Sequence, residues 1–363
     1  MKVLFAAGGT GGHLYPAIAI ADALRERGDE CAFVGTRDRL ETRLVPAAGY
    51  RLLTISARPL ARRFSLDILQ TIGVNLLGVM QSLRILARER ANVIVATGGY
   101  VCVPLVLAAR IDRTLRRRRV SIALLEPNAV PGIANRLLAL RSDEIWGAVD
   151  RCDPRWQSRY VRTGVPIRGA LQRLPPRSEA VRRLGLDPSR ETLFAFGASQ
   201  GARSINDAVI GIVHDSLPPR WQILHLTGER DYERVHAAIG DRATVKPYLD
   251  NPADAYAAAD LVLSRAGAST LAELIALNLP AILVPYPYAT QGHQQANADA
   301  VVSAGAAVAI EDSALDSKQL AAALEKLTPE RLTAMRQSAR LLAGGDPVKT
   351  ILARIDALAA RKK

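Results

Sequence analysis

Two glycine-rich segments each follow a short apolar run and precede a helical pattern. They are GGTGG at residues 8–12 and GASQG at residues 197–201. A strand that turns through glycines into a helix leaves unpaired backbone N–H groups and the positive end of the helix dipole at one place. Such a place suits a phosphate or another anionic group. A tight turn alone also uses glycine, but four glycines within residues 8–12 favour close approach of the backbone to a ligand.

The spacing of these glycines argues against two common nucleotide chemistries. Leu14 stands where a G-x-G-x-x-G pattern counted from Gly9 needs its third glycine, and no Gly-Lys-Ser/Thr follows either segment. Dinucleotide oxidation and ATP hydrolysis therefore both lack their usual sequence motif.

His13 follows the first glycine segment at the start of the next helical pattern. An imidazole titrates near neutral pH and can accept a proton from a hydroxyl group, although a helix N-terminus disfavours its charged form. The alternative is a histidine that caps the helix or simply lies on the surface. The sequence therefore offers His13 as a candidate general base.

Two further loops follow strand patterns in the first half of the chain. TGGY at 97–100 follows the strand pattern 93–96, and LEPN at 125–128 follows 120–124 and leads into a helix start at 131–135. Because the carboxyl ends of parallel strands meet at one edge of a sheet, we expect these loops and residues 8–12 to converge.

In the second half, residues 264–273 form another strand–loop–helix pattern. Thr270 and Glu273 have the T-x-x-E spacing of a capping box, which stabilises a helix end without any ligand. Alternatively, the Glu273 carboxylate accepts hydrogen bonds from two ribose hydroxyls. Residues 293–297, HQQAN, open a later helix with a polar cluster whose amides suit sugar hydroxyls.

Short apolar runs alternate with helical patterns along most of the 363 residues, which predicts an α/β fold with parallel sheets. This length predicts two doubly wound domains, 1–164 and 165–344, with a last helix in 345–363 packing back on the first. The predicted strands are 2–7, 31–34, 51–55, 92–96, 120–125, 143–147, 192–196, 222–227, 243–247, 261–264, 281–284 and 306–310, with 160–162 strand-like. The predicted helices include 16–27, 131–140, 203–213, 252–258, 270–277, 292–304 and 348–361.

Composition narrows the class of protein. The chain is 49% apolar and 23% charged, with three scattered cysteines, which predicts a globular protein of a reducing compartment without disulfides or a zinc site. We expect neither a signal segment nor a membrane span. The net charge of +13 predicts an anionic partner, but 5% aromatic residues and no recognised motif argue against nucleic acid.

Taken together, these segments resemble the MurG family of peptidoglycan N-acetylglucosaminyltransferases over the whole chain. The resemblance rests on GGTGGHLYPAIAIADAL, ATGGYV, EPNAVPGIANR, TGVPIR, FGASQGARSIND, AYAAADLVLSRAGASTLAELIALNLPAILVPYPYAT and HQQANA, in this order. It implies a GT-B fold, in which two Rossmann-like domains face a central cleft. The first domain would bind the lipid acceptor, undecaprenyl-diphosphoryl-MurNAc-peptide, and the second the donor, UDP-GlcNAc.

The resemblance also implies roles at matching positions. Asn128 would contact the donor sugar, Arg168 and Ser199 the diphosphate or uridine, Glu273 the ribose, and Gln294 with His293 the sugar hydroxyls. The implied substrate-binding residues are Thr10, Gly11, Gly12, Asn128, Arg168, Ser199, Leu249, Ala268, Ser269, Thr270, Leu271, Ala272, Glu273, His293 and Gln294.

The chain departs from the family pattern on the acceptor side. Leu125 and Pro127 replace the usual histidine and glutamine around Glu126, and Cys102-Val103 replaces Ser-Gly. In the second half, Ala198 replaces a glycine. These changes leave the acceptor contacts and the turnover rate open, whereas the donor segments are intact.

The implied reaction inverts the anomeric carbon as the acceptor 4-hydroxyl displaces UDP. His13 is the first candidate for the base and Glu126 the second, while a glycine-loop helix N-terminus and Arg168 would offset charge on the leaving diphosphate. The sequence contains no metal-chelating Asp-x-Asp motif, and the segment that comes closest to it is ERD at residues 229–231. We therefore expect neither a metal nor another cofactor.

A lipid acceptor accounts for two further stretches. Residues 64–86 are rich in apolar side chains and follow Arg58, Arg62 and Arg63, and residues 111–120 carry Arg113 and Arg116 to Arg119. This pattern predicts peripheral binding to an anionic membrane, without spanning because Gly73 and Gly78 interrupt the stretch. The resemblance implies that this membrane surface is the cytoplasmic face. The alternative is a core helix plus a solvated run of charge.

Three other functions stay open at this point. A diacylglycerol glycosyltransferase would share the donor segments without needing Glu126 and Asn128. A UDP-sugar epimerase would act without an acceptor, and a non-catalytic scaffold would only bind other cell-wall synthesis or division proteins.

Overall fold

The structure is a computed structural model that describes residues 1–59, 67–115, 120–148, 152–197, 201–215, 217–249 and 251–361. The chain forms two compact units. The first comprises Met1–Arg168 and Gly345–Lys363, and the second comprises Gly169–Gly344.

The first unit contains seven parallel strands: β1 (Lys2–Ala7), β2 (Glu30–Gly35), β3 (Arg51–Thr54), β4 (Val93–Gly98), β5 (Ser121–Glu126), β6 (Glu144–Gly147) and β7 (Tyr160–Arg162). Their order in the sheet is β3-β2-β1-β4-β5-β6-β7. The connecting helices are α1 (Gly11–Glu26), α2 (Glu41–Ala47), α3 (Asp67–Glu89), α4 (Cys102–Leu115) and α5 (Ile133–Ala139).

The side chains of β1 point alternately to the two faces of the sheet, so the first unit has two core layers. Val3 and Phe5 pack on one face of the sheet with Leu14 of α1, whereas Leu4 packs on the other face with Leu105 of α4. Successive strand residues point to opposite faces, so a run of apolar residues buries both faces beneath helices.

The second unit repeats this architecture. Its strands are β8 (Glu191–Phe196), β9 (Trp221–Leu226), β10 (Thr244–Lys246), β11 (Leu261–Ser264), β12 (Ala281–Leu283) and β13 (Ala307–Ala309), in the order β10-β9-β8-β11-β12-β13. Its helices are α6 (Arg177–Leu184), α7 (Arg203–Asp215), α8 (Tyr232–Ile239), α9 (Ala253–Ala258), α10 (Ala268–Ala276), α11 (His293–Ser303), α12 (Ser317–Lys326) and α13 (Pro329–Ala343).

The last helix, α14 (Pro347–Ala360), belongs to the first unit. Ile351, Ile355 and Leu358 are fully buried in the core layer that contains α1. Two cations of this C-terminal segment, Arg354 and Arg361, bind the buried Glu144 carboxylate of β6 at 2.5 and 2.9 Å. Apolar packing and a neutralised buried charge therefore both hold the helix on this unit.

The prediction of an α/β fold with parallel sheets is confirmed, and the predicted strands agree with the observed ones to within two residues at each end. The predicted start of α1 at residue 16 is wrong, because the helix begins at Gly11 and contains Pro16. Glycine is tolerated at a helix start, whereas Pro16, in the second turn, removes the N–H that would otherwise bond to the Gly12 carbonyl.

The predicted interruption at Gly73 and Gly78 is also wrong, because α3 runs without a break through both glycines. At Gly78 a β-carbon would lie 2.1 Å from the Ser56 carbonyl oxygen and 3.2 Å from Pro104. Glycine thus permits close packing of the helix at this position. By length and composition alone, Ile68–Glu89 would suffice to cross a membrane.

Candidate active site

The first unit has a topological switch between β1 and β4, which are adjacent parallel strands. In such sheets ligands bind beyond the carboxyl ends of the strands at the switch. The loops that follow β1, β4 and β5 all leave at this edge. These loops comprise residues 8–10, 99–101 and 127–132 and contain the candidates Thr10 and Asn128. Four further candidates flank them: Gly11, Gly12 and His13 at the start of α1, and Glu126 at the end of β5.

His13 lies in the first turn of α1, with its ring over the end of β4. Its Nδ1 is 2.8 Å from the Thr97 carbonyl oxygen, and the Thr97 hydroxyl donates to the His13 carbonyl at 2.8 Å. A carbonyl oxygen only accepts, so the hydrogen bond assigns the proton to Nδ1. In the neutral ring Nε2 then carries the lone pair, as a general base requires.

Gly98 makes room for this ring. A β-carbon there would come within 2.5 Å of the His13 imidazole, and the backbone has φ of +116°. Gly99 packs equally closely, because its β-carbon would lie 2.6 Å from the Gly8 carbonyl oxygen. The glycines of the two loops therefore bring β1 and β4 close enough for His13 to bind Thr97.

Glu41, which the sequence did not single out, anchors the first glycine loop. Its fully buried carboxylate accepts from Gly9 N–H at 3.1 Å, and from the Thr36 N–H and hydroxyl at 2.9 and 2.7 Å. Gly9 itself has φ of +86°. No local sequence pattern predicts this role, because Glu41 is far from the glycine loop along the chain.

The predicted residues Thr10, Gly11 and Gly12 form the N-terminus of α1. Thr10 is the N-cap residue, and its side chain makes no capping hydrogen bond. The first-turn N–H groups of Gly11 and Gly12 have no partner inside the helix, as at any helix start. Gly11 packs on the Tyr15 ring, over which the Arg168 guanidinium stacks at 4.7 Å. Arg168 is thus close to this helix start, at the end of the first unit's main segment.

Glu126 ends β5 and organises the loop that follows. One carboxylate oxygen accepts from the backbone and side-chain N–H groups of Asn128 at 2.9 and 3.0 Å. The other accepts from Gly132 N–H at 3.2 Å and from the Asn135 amide at 2.8 Å. Burial raises the pKa of Glu126, against the four donors that lower it. The carboxylate therefore fixes the position of Asn128.

The second unit has the equivalent switch between β8 and β11. Gly197 and Gly201 flank the loop after β8, where a β-carbon at Gly201 would lie 2.1 Å from the Thr227 carbonyl oxygen. The predicted residue Ser199 falls in this loop, outside the described residues. The loop after β11 leads directly into α10.

Helix α10 begins at Ala268, with Gly267 as an N-cap that makes no side-chain capping bond. Thr270 is its third residue, so the capping-box interpretation of Thr270 and Glu273 is wrong. The N–H groups of Ala268, Ser269 and Thr270 have no partner inside the helix and lie at its positive end. The predicted segment 268–273 therefore places a helix N-terminus at the carboxyl edge of β11.

Glu273 is buried on α10, at 4% exposure, and its carboxylate accepts from the Tyr256 hydroxyl at 2.7 Å. Tyr256 in turn packs edge-on against the Phe194 ring, with centroids 5.4 Å apart. Leu271 and Leu274 on the same helix are buried, whereas Ala272 is half-buried. Aromatic packing thus orients the Glu273 carboxylate.

Helix α11 carries His293 and Gln294 at its start. The Gln294 carbonyl accepts from Tyr286 N–H at 2.9 Å, and the buried Asn297 amide donates to the Ala266 carbonyl at 3.2 Å. The start of α11 therefore lies beside the loop that precedes α10. Leu249 follows β10, and the sheet order places β9 and β8 between that strand and β11.

Within the described ranges, no group of three or more His, Cys, Asp and Glu side chains is arranged to hold a metal ion. Asp231, in the ERD segment, instead binds Asn206 at 2.8 Å and Arg234 at 3.1 Å. Cys102 is buried behind the first glycine loop, and burial raises the pKa of its thiol to about 12. This thiol is therefore held in its unreactive protonated form.

Two family models match the chain. The Glycosyltransferase family 28 N-terminal domain matches residues 3–146, and the Glycosyltransferase family 28 C-terminal domain matches residues 192–352. Between them, these two matches include each candidate site residue except Arg168.

Curated relatives are similar over almost their whole length. A UDP-N-acetylglucosamine–N-acetylmuramyl-(pentapeptide) pyrophosphoryl-undecaprenol N-acetylglucosamine transferase from Chlorobium phaeobacteroides is 40% identical, covering 99% of this chain and 100% of the relative. The protein of that name from Halothermothrix orenii is 38% identical, covering 94% of each chain.

Among solved structures, the crystal structure of Acinetobacter baumannii MurG is similar with a TM-score of 0.77 and 25% identity, covering 98% of this chain and 99% of that one. Sequence and structure thus agree over both units. The chain belongs to the MurG family of glycosyltransferase family 28.

Proposed function

We propose that this chain transfers N-acetylglucosamine from UDP-GlcNAc to the 4-hydroxyl of MurNAc in undecaprenyl-diphosphoryl-MurNAc-peptide. The observation that carries the proposal is the near full-length similarity to relatives named for this transfer, at 38 and 40% identity. The product is the lipid-linked disaccharide-peptide of peptidoglycan synthesis. The expected domain roles follow: the first unit takes the acceptor and the second unit takes the donor.

His13 is the general base of this proposal. The Nδ1 hydrogen bond to the Thr97 carbonyl, at 2.8 Å, leaves Nε2 as the acceptor of the neutral ring. Thr97 also fixes the His13 backbone through its hydroxyl. The ring is thus oriented in the tautomer that can take a proton from the attacking 4-hydroxyl.

Glu126 acts as a positioning residue in the same proposal. Both of its oxygens are already occupied by four N–H donors from Asn128, Gly132 and Asn135. A carboxylate engaged in this way would have to break the loop in order to accept a substrate proton. Its function is to hold Asn128 at the sugar.

The second unit would bind the donor. The N–H groups at the start of α10, which have no partner inside the helix, suit the diphosphate, whose negative charge grows as UDP leaves. Glu273 would accept hydrogen bonds from the ribose, and Gln294 with His293 would bind the sugar hydroxyls. No metal is invoked, since backbone dipoles and Arg168 would offset the charge on the leaving group.

Peripheral binding to an anionic membrane is part of the proposal. The outer face of α3 exposes a stripe of apolar side chains at helical spacing, while its inner face packs in the core through Val79, Leu83 and Leu86. The stripe consists of Leu69, Ile72, Leu76, Leu77 and Met80, exposed by 42 to 71%. The predicted cations 62, 63 and 116–119 lie outside the described residues. Of the others, Arg58 is exposed beside α3, and Arg113 of α4 binds Asp143 at 3.0 Å. Arg84, on α3 itself, is also exposed.

Vesicle binding tests the membrane surface. Leu76→Glu should reduce cosedimentation with anionic phospholipid vesicles, because it places a charge in the apolar stripe. Leu341→Glu is the matched control, since Leu341 is 84% exposed on α13 of the second unit. Equal binding by both variants would contradict the assignment of this face.

Release of UDP with and without a short-chain lipid acceptor tests the reaction itself. Release that depends on undecaprenyl-type MurNAc-peptide supports the transferase. Release of UDP that depends on diacylglycerol instead indicates a diacylglycerol glycosyltransferase. A freed or isomerised sugar without acceptor indicates the epimerase, and binding of cell-wall proteins without any release indicates the scaffold.

A further inference from the structure

Arg265 is a nearly buried cation at the donor edge of the second unit, 8% exposed and immediately after β11. Its guanidinium donates to the Asp312 carboxylate at 2.5 Å, to the Ser204 hydroxyl at 3.1 Å and to the Val284 carbonyl at 3.2 Å. Ser204 also donates to the same Asp312 oxygen. The three side chains form a closed network, here called the Arg265 network.

These contacts join four loops at one edge of the sheet. Ser204 stands at the start of α7, after the second glycine loop, and Val284 follows β12. Asp312 lies in a short 3-10 turn after β13. Arg265 itself comes two residues before the Gly267 N-cap of α10. The guanidinium therefore anchors the backbone two residues before the N-cap of α10.

The network also reaches the residues proposed to bind the sugar. The Arg265 guanidinium stacks over the Tyr286 ring at 5.4 Å, and Tyr286 N–H donates to Gln294. From the other side, Asn297 of α11 holds the Ala266 carbonyl. The start of α10 and the start of α11 are thus connected through Arg265 and its neighbours.

We infer that Asp312, together with Ser204, is a positioning residue for donor binding, acting through Arg265 on the starts of α10 and α11. This inference rests on the proposed function, in which those two helices hold UDP-GlcNAc. Asp312 contributes by neutralising and orienting a buried guanidinium, which is costly to leave without its counter-ion. Without Asp312, Arg265 would lose its counter-ion and turn toward water, so the loops before α10 and α11 would lose a shared anchor.

Binding of UDP and steady-state kinetics on the full chain test this role. Asp312→Asn should weaken UDP binding and raise the KM for UDP-GlcNAc by about tenfold, since a charged hydrogen-bond partner is lost. We expect kcat at saturating donor and the KM of the lipid acceptor to change by less than about threefold. A purely structural role would not produce this separation between donor KM and kcat.

Two variants complete the design. Glu311→Gln removes the same charge from an exposed neighbouring side chain, and should leave donor KM and UDP binding unchanged. Ser204→Ala removes one member without changing any charge and should weaken UDP binding about threefold. Thermal unfolding midpoints show which variants are folded at the assay temperature.

A folded Asp312→Asn protein that binds UDP as tightly as the parent would overturn the inference. If Asp312→Asn does not fold, Ser204→Ala provides the test. UDP binding by Ser204→Ala that equals that of the parent would also overturn the inference. If the parent protein itself does not bind UDP, both the proposed function and this inference are contradicted. If the parent and Asp312→Asn bind UDP equally tightly, only this inference is contradicted and the proposed function stands.

Discussion

The imidazole of His13 rests directly on Gly98, at a position where any β-carbon would lie within 2.5 Å of the ring. The contact joins the start of α1 to the end of β4, two segments that are far apart in the chain. Because the same ring binds the Thr97 carbonyl, its orientation depends on the absence of a side chain at residue 98. The candidate base is therefore positioned by a glycine of another loop.

Gly98→Ala should lower kcat by about a hundredfold, because the new methyl group displaces the His13 ring from its bond to Thr97. Steady-state rates of UDP release measure this effect. Gly185→Ala is the matched control, since Gly185 also has positive φ, +70°, but has no atom within 4 Å of its β-carbon position. If both variants lost activity equally, backbone strain alone would explain the result.

His13→Ala should lower kcat by a factor of about 10² to 10⁴ with little change in the donor KM, as expected when a general base is removed. Glu126→Ala should act differently, by releasing Asn128 and raising KM for the sugar substrates. Both parameters come from initial rates at varied donor and acceptor. Full turnover by His13→Ala, with none by Glu126→Ala, would reverse the two roles.

Glu273→Ala should raise the KM for UDP-GlcNAc by about ten- to a hundredfold with a smaller effect on kcat, because hydrogen bonds from the ribose lose a charged acceptor. Tyr256→Phe is the milder comparison, since it removes only the 2.7 Å bond that orients this carboxylate. Isothermal titration with UDP measures both variants. An unchanged affinity in Glu273→Ala would exclude the carboxylate from the nucleotide site.

Stability should fall with acid because of His225, which is fully buried on β9 with Nδ1 bound to the Ala195 carbonyl at 3.0 Å. Burial lowers the pKa of His225 to about 4 from 6.5, so the folded state keeps the ring neutral. Below pH 6.5 the unfolded chain binds the additional proton, and the free energy of unfolding decreases until about pH 4.

The loss over this range is on the order of 3 kcal/mol, from 1.36 kcal/mol per pKa unit. Urea denaturation at pH 7 and pH 5 should show about 2 kcal/mol of this loss, because pH 5 lies 1.5 units below 6.5. His225→Gln is the variant that cannot titrate. A variant with the same slope of stability against pH as the parent would assign the acid sensitivity to other groups.

Local patterns in the chain were enough to predict both parallel sheets. Each strand is a short apolar run, such as Val3 to Ala7 or Leu193 to Phe196, bounded by polar or glycine-rich turns. An apolar run of this kind predicts a strand that is buried on both faces, and the prediction does not require knowing which distant residues pack against it. The family, too, followed from segments in their chain order, and the comparisons confirm it.

The contacts within each site depended on the folded chain, because they join residues that sequence spacing does not relate. Glu41 reaches Gly9, Thr97 orients His13, and Asp312 neutralises Arg265 only where parallel strands bring their carboxyl ends to one edge. The same packing reversed the expectation for Gly78, whose missing side chain admits the Ser56 carbonyl. A pattern along the chain specifies which residues are buried or turn, whereas the pairing of distant side chains depends on how strands and helices pack.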